Sequence, residues 1–511
     1  MVINMFAKIK SQGLSGLNGF DVIVEADLSS GLPRFDVVGL PDAAVKESRE
    51  RVRASIKNCH YSFPVSRITV NIAPADIKKE GALYDLPILI AILKASGQLE
   101  ANTDDFCFVG ELSLDGEIRP ANGILPMVLK AKESGIGAIF IPYDNAFEGS
   151  VVKGIDVLPA KNIKEIIEHL TKIKLINPAY TEESESDYII QELDFADVKG
   201  QSEAKRALEI AAAGGHNCLM IGPPGTGKSM LAKRISSILP EMSFDEKIQT
   251  TKIYSVAGAL SKTTRLITQR PFRSPHHTVS AQGLTGGGAN PKPGEISLAH
   301  NGVLFMDEFP EFDRRAKESL RQPLEDGIVT ITRAGGTVIY PSKLMVVAAM
   351  NPCPCGYMGH PFKQCTCSDA AKKRYLDKVS GPLLDRIDIH IEVQSVDYEQ
   401  LSAKAPEESS AQIRKRVNAA RKIQNERFAG TDINCNANMT PNATRKYCVL
   451  TDEADSLLKT SFEAMGLSAR AYDKILRIAR TIADLENSEK IEFAHIAEAI
   501  QYRSLDRKYW R

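Results

Sequence analysis

The chain contains 511 residues, of which 43% are hydrophobic and 25% are charged. Ordinary folded proteins share this composition, and the length favours about three domains. Lysine and arginine together number 64, as do aspartate and glutamate, so the formal net charge is zero. This balance excludes a general attraction of the whole molecule to nucleic acid, and any contact with a polyanion has to be local.

The apolar stretches of the chain are short. The longest, Leu86–Leu93, cannot cross a bilayer. Lys8 and Lys10 interrupt the amino-terminal region before an apolar secretory core can form. We therefore expect a cytoplasmic protein without membrane contacts.

The first third of the chain alternates between strand and helix patterns, which predicts an α+β domain. Alternating apolar residues mark strands at Phe20–Asp27 and Arg67–Ile72, and helical patterns occupy Asp42–Asn58 and Leu83–Ser96. Together with Phe108–Arg119, these elements resemble the ribosomal-S5-like fold that is shared with the Lon protease domain.

Lon proteases use a serine nucleophile and a lysine base. The matching stretches here are Lys79–Asp85, which has no serine, and Gly123–Pro126, which has no lysine. The resemblance therefore implies a scaffold without proteolytic activity, which would touch DNA or support the stacking of a ring. Four basic residues share one helical face, and they either serve that contact or are merely solvated: Lys46, Arg49, Arg51 and Arg53.

Two polar segments divide the chain. Residues 177–192 are polar and acidic without periodicity, which predicts an interdomain linker, and residues 397–410 form a weaker break. The predicted domains are an α+β domain at 1–176, a central α/β domain at 193–396 and a helical domain at 397–511.

The central domain opens with a phosphate-binding motif. A short apolar strand, Asn217–Ile221, precedes a glycine-rich turn, and a helical run, Met230–Leu239, follows it. The turn consists of Gly222, Pro223, Pro224, Gly225, Thr226, Gly227, Lys228 and Ser229. Glycines at this spacing let backbone N–H groups surround the phosphates of a nucleotide, while the lysine neutralises their charge.

A second motif lies about eighty residues further on, where the apolar run Val303–Met306 ends in Asp307 and Glu308. In P-loop nucleoside triphosphatases, an aspartate in this position and the P-loop hydroxyl hold Mg²⁺. We therefore predict Ser229 and Asp307 as magnesium ligands and Glu308 as the residue that polarises the attacking water. The two motifs in this order indicate an ATPase that uses ATP and Mg²⁺.

The central domain resembles AAA+ ATPases of the magnesium-chelatase type, and more closely the bacterial YifB/ComM family. The likeness covers nearly the whole chain, and beyond the two motifs it includes Pro271–His277, Gly286–Gly288, Pro293–His300, Gly302–Phe312, Leu320–Glu325, Asn351–Gly356 and Leu384–Asp388. It implies an α/β and α+β multidomain fold, with a Lon-protease/S5-like domain first, an AAA+ core second and a helical lid last.

The resemblance assigns catalytic roles to three further residues. Asn351 matches the sensor-1 residue, which orients the attacking water beside Glu308. Arg386 matches the arginine finger, a cation supplied across a subunit boundary, and Arg470 matches the sensor-2 arginine of the lid. A finger supplied by a neighbour requires a ring, so the resemblance implies a homo-oligomer, expected to be a hexamer. The competing interpretations are a turn cap for Asn351 and solvated or structurally paired side chains for the two arginines.

Residues 328–340 have the pattern of a β-hairpin. Ile328–Thr332 and Thr337–Tyr340 alternate in polarity, and Arg333 lies near the tip between them. This hairpin resembles the presensor-1 hairpin of MCM helicases, whose basic tip holds DNA in the ring channel.

Residues 249–300 resemble the helix-2 insert of the same helicases. Its basic residues stand among glycines and prolines, which lets the backbone approach phosphates closely. We predict DNA contacts at Arg273, His276, His277 and Lys292, with Arg270 nearby. The alternative is that hairpin and insert move a protein partner.

Four of the nine cysteines form two close pairs, Cys353 with Cys355 and Cys365 with Cys367. Four thiolates can enclose a tetrahedral Zn²⁺ ion, although zinc ribbons usually space each pair by two residues. His360 lies between the pairs as a substitute ligand. Structural zinc, reduced thiols without a metal and a redox switch are the three interpretations that remain open.

The carboxyl-terminal domain is predicted to be helical, with apolar spacing of 3.6 residues in Asp452–Leu485 and Ile491–Tyr502 and a basic helix at Ser409–Phe428. It resembles the AAA+ lid. By family, the chain is expected to be a ring-forming DNA motor, a helicase that promotes branch migration while transforming DNA is integrated. The alternative is a chelatase-like or MoxR-like ATPase that remodels a protein partner.

Overall fold

The computed structural model describes residues 5–180, 193–288, 290–333, 336–360, 362–396 and 407–510. These residues form two compact units. The N-terminal unit lies within Met1–Tyr188 and Lys247–Ile267, and the second unit lies within Ile189–Glu246 and Thr268–Arg511. The predicted linker lies outside the described residues from residue 181 onward, and so does the predicted break at 397–410 up to residue 406.

The N-terminal unit is built on a seven-stranded mixed sheet with the strand order β3-β4-β2-β1-β5-β8-β9. Its strands, including the short β6–β7 ribbon, are β1 (Phe6–Ser15), β2 (Asn18–Ser29), β3 (Arg34–Val38), β4 (Arg67–Ala73), β5 (Phe106–Phe108), β6 (Glu111–Leu112), β7 (Ile118–Arg119), β8 (Ala138–Pro142) and β9 (Asp156–Ala160). Its helices are α1 (Ala43–Asn58), α2 (Asp85–Ala95), α3 (Ile124–Glu133), α4 (Ala146–Gly149) and α5 (Ile163–Leu170). The four elements that the sequence predicted here are all present.

The alternation of polar and apolar residues explains the sheet. Every second side chain of β2 from Val22 to Leu28 is buried, so one face of the strand joins the core. Helix α2 is apolar apart from Asp85 and Lys94, and all of its residues except Lys94 are buried. Helices of this kind lie inside a core rather than on its surface.

Residues 247–267 come from the middle of the chain but pack within the N-terminal unit. Ser255 Oγ donates a hydrogen bond to Oε2 of Glu148 at 2.6 Å, and Gly123 N donates to the Ser255 carbonyl at 3.1 Å. Ile248 and Leu266 join the apolar cluster around α3. Residues 249–267 of the predicted helix-2 insert therefore belong to this unit, with most of α8 (Phe244–Ala257), whereas residues 268–300 of the insert belong to the second unit.

The second unit contains a five-stranded parallel sheet with the order β11-β14-β17-β10-β18. Its strands, with those of two short hairpins, are β10 (Cys218–Ile221), β11 (Phe272–Arg273), β12 (Gly286–Gly287), β13 (Lys292–Pro293), β14 (Val303–Met306), β15 (Ile328–Arg333), β16 (Gly336–Pro341), β17 (Met345–Met350) and β18 (Ile389–Glu392). Its helices up to β18 are α6 (Ser202–Gly214), α7 (Lys228–Arg234), α9 (Ala281–Thr285), α10 (Glu295–Leu298), α11 (Arg314–Glu318), α12 (Arg321–Asp326), α13 (Asp369–Leu376) and α14 (Gly381–Leu384). Parallel strands with helices between them are typical of nucleotide-binding α/β folds.

The carboxyl-terminal part of the second unit is helical, as predicted. Its helices are α15 (Ser410–Arg427), α16 (Pro441–Tyr447), α17 (Asp452–Met465), α18 (Ala469–Leu485), α19 (Phe493–Gln501) and α20 (Leu505–Trp510). The apolar pattern at 452–485 is interrupted by Gly466, whose φ of 58° ends α17. These helices pack on α6: Gln424 Nε2 donates to the Ala213 carbonyl at 3.1 Å, and Arg206 pairs with Glu498.

No helix among the described residues is both long and apolar enough to cross a bilayer.

Candidate functional site

The carboxyl ends of three adjacent strands bring the predicted nucleotide-binding residues together. Strand β10 ends at Ile221 before the P-loop, β14 ends at Met306 before Asp307, and β17 ends at Met350 before Asn351. Because parallel strands end at the same edge of a sheet, residues far apart in the chain meet there. The site is thus positioned by the order β14-β17-β10.

Lys228 is the first residue of α7, and its amine is held by uncharged acceptors. Nζ donates to the carbonyls of Gly222 at 2.7 Å and Pro223 at 2.8 Å, and it lies 3.3 Å from Oδ1 of Asn351. Burial lowers the pKa of Lys228 to about 8, because the ammonium is removed from water without a carboxylate in contact. An anion such as a phosphate would supply the missing negative charge.

The backbone of the P-loop has the conformation that a phosphate cradle needs. Gly225 and Gly227 have φ angles of 82° and 88°, a region that favours glycine. Thr226 Oγ1 donates to the Pro223 carbonyl at 3.0 Å and so closes the turn on itself. The loop therefore leads into the amino terminus of α7, where backbone N–H groups favour anions.

Ser229 and Asp307 are in direct contact. Ser229 Oγ donates to Oδ2 of Asp307 at 2.6 Å, while Oδ1 of Asp307 accepts a hydrogen bond from Glu308 N at 2.9 Å. A hydroxyl and a carboxylate are hard oxygen donors of the kind that Mg²⁺ prefers. The pair fits the predicted magnesium site, since the two oxygens are close enough to bind one ion together.

Glu308 directs its side chain away from the sheet and toward a histidine. Its φ of 52° lies in the left-handed region, and Oε2 lies 3.2 Å from Nδ1 of His277. The His277 ring lies against that of His276 at a centroid distance of 4.1 Å, with the two ring planes tilted by 33°. His277, which the sequence assigned to DNA, therefore contacts the residue predicted to polarise water. No local sequence pattern joins these two residues, which meet because β11 pairs with β14.

Arg386 lies at the opposite end of the sheet from the P-loop. Asn217, the residue before β10, donates from Nδ2 to the Arg386 carbonyl at 3.2 Å. The P-loop begins after the last residue of β10, so roughly 15 Å of strand separates the two at about 3.3 Å per residue. The guanidinium itself is paired with Glu325 and donates to the Pro382 carbonyl at 2.5 Å.

Arg470 is exposed in the first turn of α18, and no contact with the P-loop is seen within the described part of the chain. Lys474, one turn later on the same helix, pairs with Asp388 at 2.9 Å and donates to the Ile387 carbonyl at 3.0 Å. Asp388 immediately precedes β18. The helix that carries Arg470 thus contacts the amino-terminal edge of the sheet one turn after this residue, on the side where the Arg386 carbonyl lies.

The predicted hairpin is present, with β15 and β16 antiparallel and Arg333 opposite Gly336. A second small hairpin, formed by β12 and β13, lies beside it: Tyr340 Oη donates to the Pro291 carbonyl at 2.6 Å. A β-carbon on Gly287 would lie 3.1 Å from Nη2 of Arg333. The arginine therefore rests against glycine backbone.

The other residues predicted to contact DNA differ in whether their side chains already form hydrogen bonds or ion pairs within the protein. Lys292 is exposed on β13. Arg273 is held by Glu295 through two contacts of 2.7 Å, and His276 shares a hydrogen bond of 2.9 Å with Thr278. Arg270 is bound to Glu246 and to the Asn301 carbonyl. Arg333 and Lys292 remain the basic side chains of this group that are exposed at hairpins.

The four predicted metal ligands converge. The Sγ atoms of Cys353, Cys355, Cys365 and Cys367 all lie within 4.8 Å of one another. His360 is not part of this group, and its Nδ1 accepts hydrogen bonds from Phe362 N and Lys363 N, both at 3.1 Å. It closes the turn between the two cysteine pairs instead.

Comparison with known sequences gives matches along most of the chain. Family profiles of the magnesium chelatase subunit ChlI match residues 24–145 and 194–401, and a profile of its C-terminal part matches residues 407–503. The uncharacterized protein YifB of Escherichia coli is 43% identical over 504 residues, which is 98% of this chain and 97% of that protein. Competence protein ComM of Haemophilus influenzae is 43% identical over 507 residues, 98% of each.

More distant similarities concern parts of the chain. The DNA replication licensing factor mcm6 of Schizosaccharomyces pombe is 22% identical over 57% of this chain and 30% of its own length. A Lon protease of Mycolicibacterium smegmatis is 24% identical over 30% of this chain and 21% of its own length. The full-length matches decide the assignment: the chain belongs to the YifB/ComM family of magnesium-chelatase-like AAA+ ATPases.

Proposed function

We propose that this protein is a ring-forming ATPase that moves DNA, and that it acts as a helicase promoting branch migration during the integration of transforming DNA. The observation that carries the proposal is the position of Arg333 at a hairpin tip, against the glycine backbone of a second hairpin that bears exposed Lys292. Arginine beside accessible backbone suits a phosphate chain better than an apolar protein surface.

Hydrolysis of ATP would use the residues at the carboxyl edge of the sheet. Lys228 and the P-loop N–H groups would hold the phosphates, and Ser229 with Asp307 would hold Mg²⁺, which supplies charge neutralisation when it is bound. Glu308 would accept a proton from the water that attacks the γ-phosphoryl group, once its contact with His277 is released. Asn351, 3.3 Å from Lys228 Nζ, lies where it would orient that water.

A ring explains the placement of the two remaining arginines. The Arg386 carbonyl lies at the amino-terminal edge of the sheet and the helix that carries Arg470 contacts the same edge, which supports roles for both arginines outside the nucleotide site of their own subunit. In a closed ring, that edge of one subunit can face the nucleotide of the next. Both arginines would then act across the boundary, and a hexamer is the expected assembly.

A second candidate function follows from the family profiles, all three of which describe a magnesium chelatase subunit. The chain would then be a chelatase-like or MoxR-like ATPase whose hairpins push a protein partner. The ion pair of Arg273 with Glu295 favours this alternative, because a paired arginine contributes less to DNA binding.

The two functions are separated by measuring steady-state ATP hydrolysis with and without single-stranded and forked DNA. We expect DNA to stimulate ATP turnover by the parent protein. The Arg333→Ala variant should keep its turnover without DNA but should no longer be stimulated by DNA. The matched control is Arg445→Ala, which removes an exposed arginine from α16. Equal stimulation of parent and Arg333→Ala would reject the role of the hairpin, and no stimulation at all would favour a protein client.

A DNA-stimulated protein would next be tested for branch migration on a three-strand junction. Binding of single strands should also weaken steeply with salt, because each neutralised phosphate releases a counterion. Tight binding that is independent of salt would argue against contacts to the DNA backbone.

A further inference from the structure

The four clustered cysteines bring their sulfur atoms to spacings that suit a tetrahedral metal ion. Sγ of Cys353 lies 3.4 Å from that of Cys355 and 3.6 Å from that of Cys365, and the Cys355 and Cys365 sulfurs are also 3.6 Å apart. In a tetrahedral site with Zn–S bonds of about 2.3 Å, neighbouring sulfurs are about 3.8 Å apart. The observed spacing is close to that value.

The segment that carries the cysteines is held by local turns and by its sulfur atoms. Its described residues between 353 and 367 form neither helix nor strand, and the side chain of Phe362 is 83% exposed. A short irregular loop without its own apolar core usually depends on a covalent or metal cross-link. Here the sulfurs are the groups that join its two ends.

The loop rests on the P-loop. Gly356 has a φ of 82°, and a β-carbon on it would lie 2.6 Å and 2.7 Å from Cδ and Cγ of Pro224. Asn351, which is in contact with Lys228, precedes Cys353 by two residues. Both ends of this short stretch therefore touch the phosphate-binding residues.

We propose that the four cysteines bind one Zn²⁺ ion and that this ion preorganises the P-loop for nucleotide, by holding Gly356 against Pro224 and Asn351 beside Lys228. The proposal rests on the nucleotide site described above but not on DNA movement. Without the ion, the loop would sample other positions, and only the fraction of molecules with an ordered P-loop would bind nucleotide with full affinity.

The metal itself is tested by mass spectrometry of the full-length protein, purified under reducing conditions without added metal. We expect about one zinc per chain, and its loss in the Cys365→Ser/Cys367→Ser variant. Cys59→Ser, the same substitution in the N-terminal unit, serves as control and should keep the metal. A parent protein that holds no zinc and takes up none on addition would overturn the proposal.

Preorganisation is tested by the affinity for a fluorescent ADP analogue in the absence of DNA. Removal of zinc from the parent by a chelator should weaken binding about tenfold, as expected if about a tenth of the molecules stay competent, and zinc added back should restore it. This reversible measurement remains informative even if the cysteine variants fail to fold. Unchanged affinity in the metal-free parent would overturn the coupling.

Two glycines of the same loop separate the contact with Pro224 from general disturbance of the loop. Gly356 and Gly359 have similar φ angles of 82° and 79°, but a β-carbon on Gly359 meets no atom within 4 Å. Gly356→Ala should therefore keep zinc and weaken ADP binding, whereas Gly359→Ala should bind ADP more tightly than Gly356→Ala. Equal affinities in the two variants would reject the contact.

Failure of this proposal is distinguishable from failure of the proposed motor. Zinc content and ADP affinity are measured without DNA, while DNA stimulation is measured on the zinc-loaded protein. A protein whose turnover ignores DNA can still show metal-dependent ADP binding.

Discussion

Two arginine–carboxylate pairs show how differently the two units use the same chemistry. In the N-terminal unit, Nε of Arg51 lies 2.6 Å from Oδ2 of Asp85, a fully buried carboxylate that also accepts a hydrogen bond from Ser48. In the second unit, Arg386 pairs with Glu325, whose side chain is 52% exposed. The two arginines are similarly covered, with side chains that are 20% and 15% exposed, so the pairs differ in the carboxylate: that of Asp85 is enclosed by the core, and that of Glu325 is open to solvent.

The same contrast holds for the wider surroundings of each pair. Asp85 lies in the segment that matches the Lon nucleophile region, and its neighbours satisfy it by hydrogen bonds, including one from Leu112 N. At the P-loop, by contrast, Lys228 donates hydrogen bonds to backbone carbonyls, and Ser229 donates one to the Asp307 carboxylate. The Asp85 contacts are therefore enclosed within the fold, whereas those of the P-loop are contacts that a ligand can replace.

The largest effect is expected from Arg386→Ala. Loss of an arginine finger lowers turnover by about 10³-fold to 10⁵-fold, because transition-state charge is left unneutralised. The measurement is ATP hydrolysis of Arg386→Ala alone and mixed with Glu308→Gln. A finger that acts across a boundary predicts recovery of activity in the mixture, since a Glu308→Gln subunit can supply its arginine to an intact neighbouring site. Absence of recovery in mixed rings would contradict action in trans.

Glu308→Gln is expected to lower turnover by about 10²-fold to 10⁴-fold, the usual contribution of a general base. ATP binding and the unfolding transition should stay as in the parent, because this side chain is 58% exposed. Turnover and thermal unfolding are measured on the same sample. A large drop in stability would show that Glu308, like Asp85, stabilises the folded protein, and the two carboxylates would then no longer differ in role.

Asp85→Asn makes the same carboxylate-to-amide change in the N-terminal unit, with the opposite expected result. The free energy of unfolding should fall by about 3 to 5 kcal/mol, because Arg51 loses its buried counter-charge. Turnover per folded molecule should not change. Denaturant unfolding followed by circular dichroism measures the first quantity, and a variant as stable as the parent would show that the pair contributes little.

The smallest effect concerns pH. A bound phosphate requires the Lys228 ammonium, whose pKa burial lowers to about 8 in the free protein. Nucleotide binding therefore takes up a proton once the pH exceeds about 8, and the affinity should fall by about tenfold for each further pH unit. Below that value the lysine is already charged, so the affinity should be constant. The Kd for ADP between pH 7 and 9.5 provides the test, and a flat profile would indicate an ordinary lysine pKa.

The sequence predicted those parts of the site whose signal is local. The P-loop, the Asp307–Glu308 pair, the β15–β16 hairpin and the cysteine pairs are each contiguous patterns, because backbone conformation imposes the residue types at close spacing. The helix over Met230–Leu239 was predicted too long, since α7 ends at Arg234 and gives way to a 3₁₀ turn at Ile235–Ser237.

Contacts between distant segments were not predictable in this way. His277 with Glu308 and Arg51 with Asp85 join residues that have no shared pattern, and only the order of strands and helices brings them together. Arg51 belongs to the predicted basic helical face, for which three interpretations were open: a contact with DNA, a surface that supports ring stacking, or a solvated surface. In the structure it is largely withdrawn into an ion pair, with a side chain that is 20% exposed.

The core of the N-terminal unit includes Ile248 and Leu266, which follow the P-loop in the chain. During synthesis, this core cannot be completed when residue 176 leaves the ribosome. It waits until residue 267 has emerged, on the order of ten seconds later at ordinary rates of elongation. In that interval, the apolar side chains around α3 lack their contacts with Ile248 and Leu266, and Glu148 lacks the hydrogen bond from Ser255. The P-loop is therefore synthesised before the N-terminal unit, which begins earlier in the chain, can complete its core.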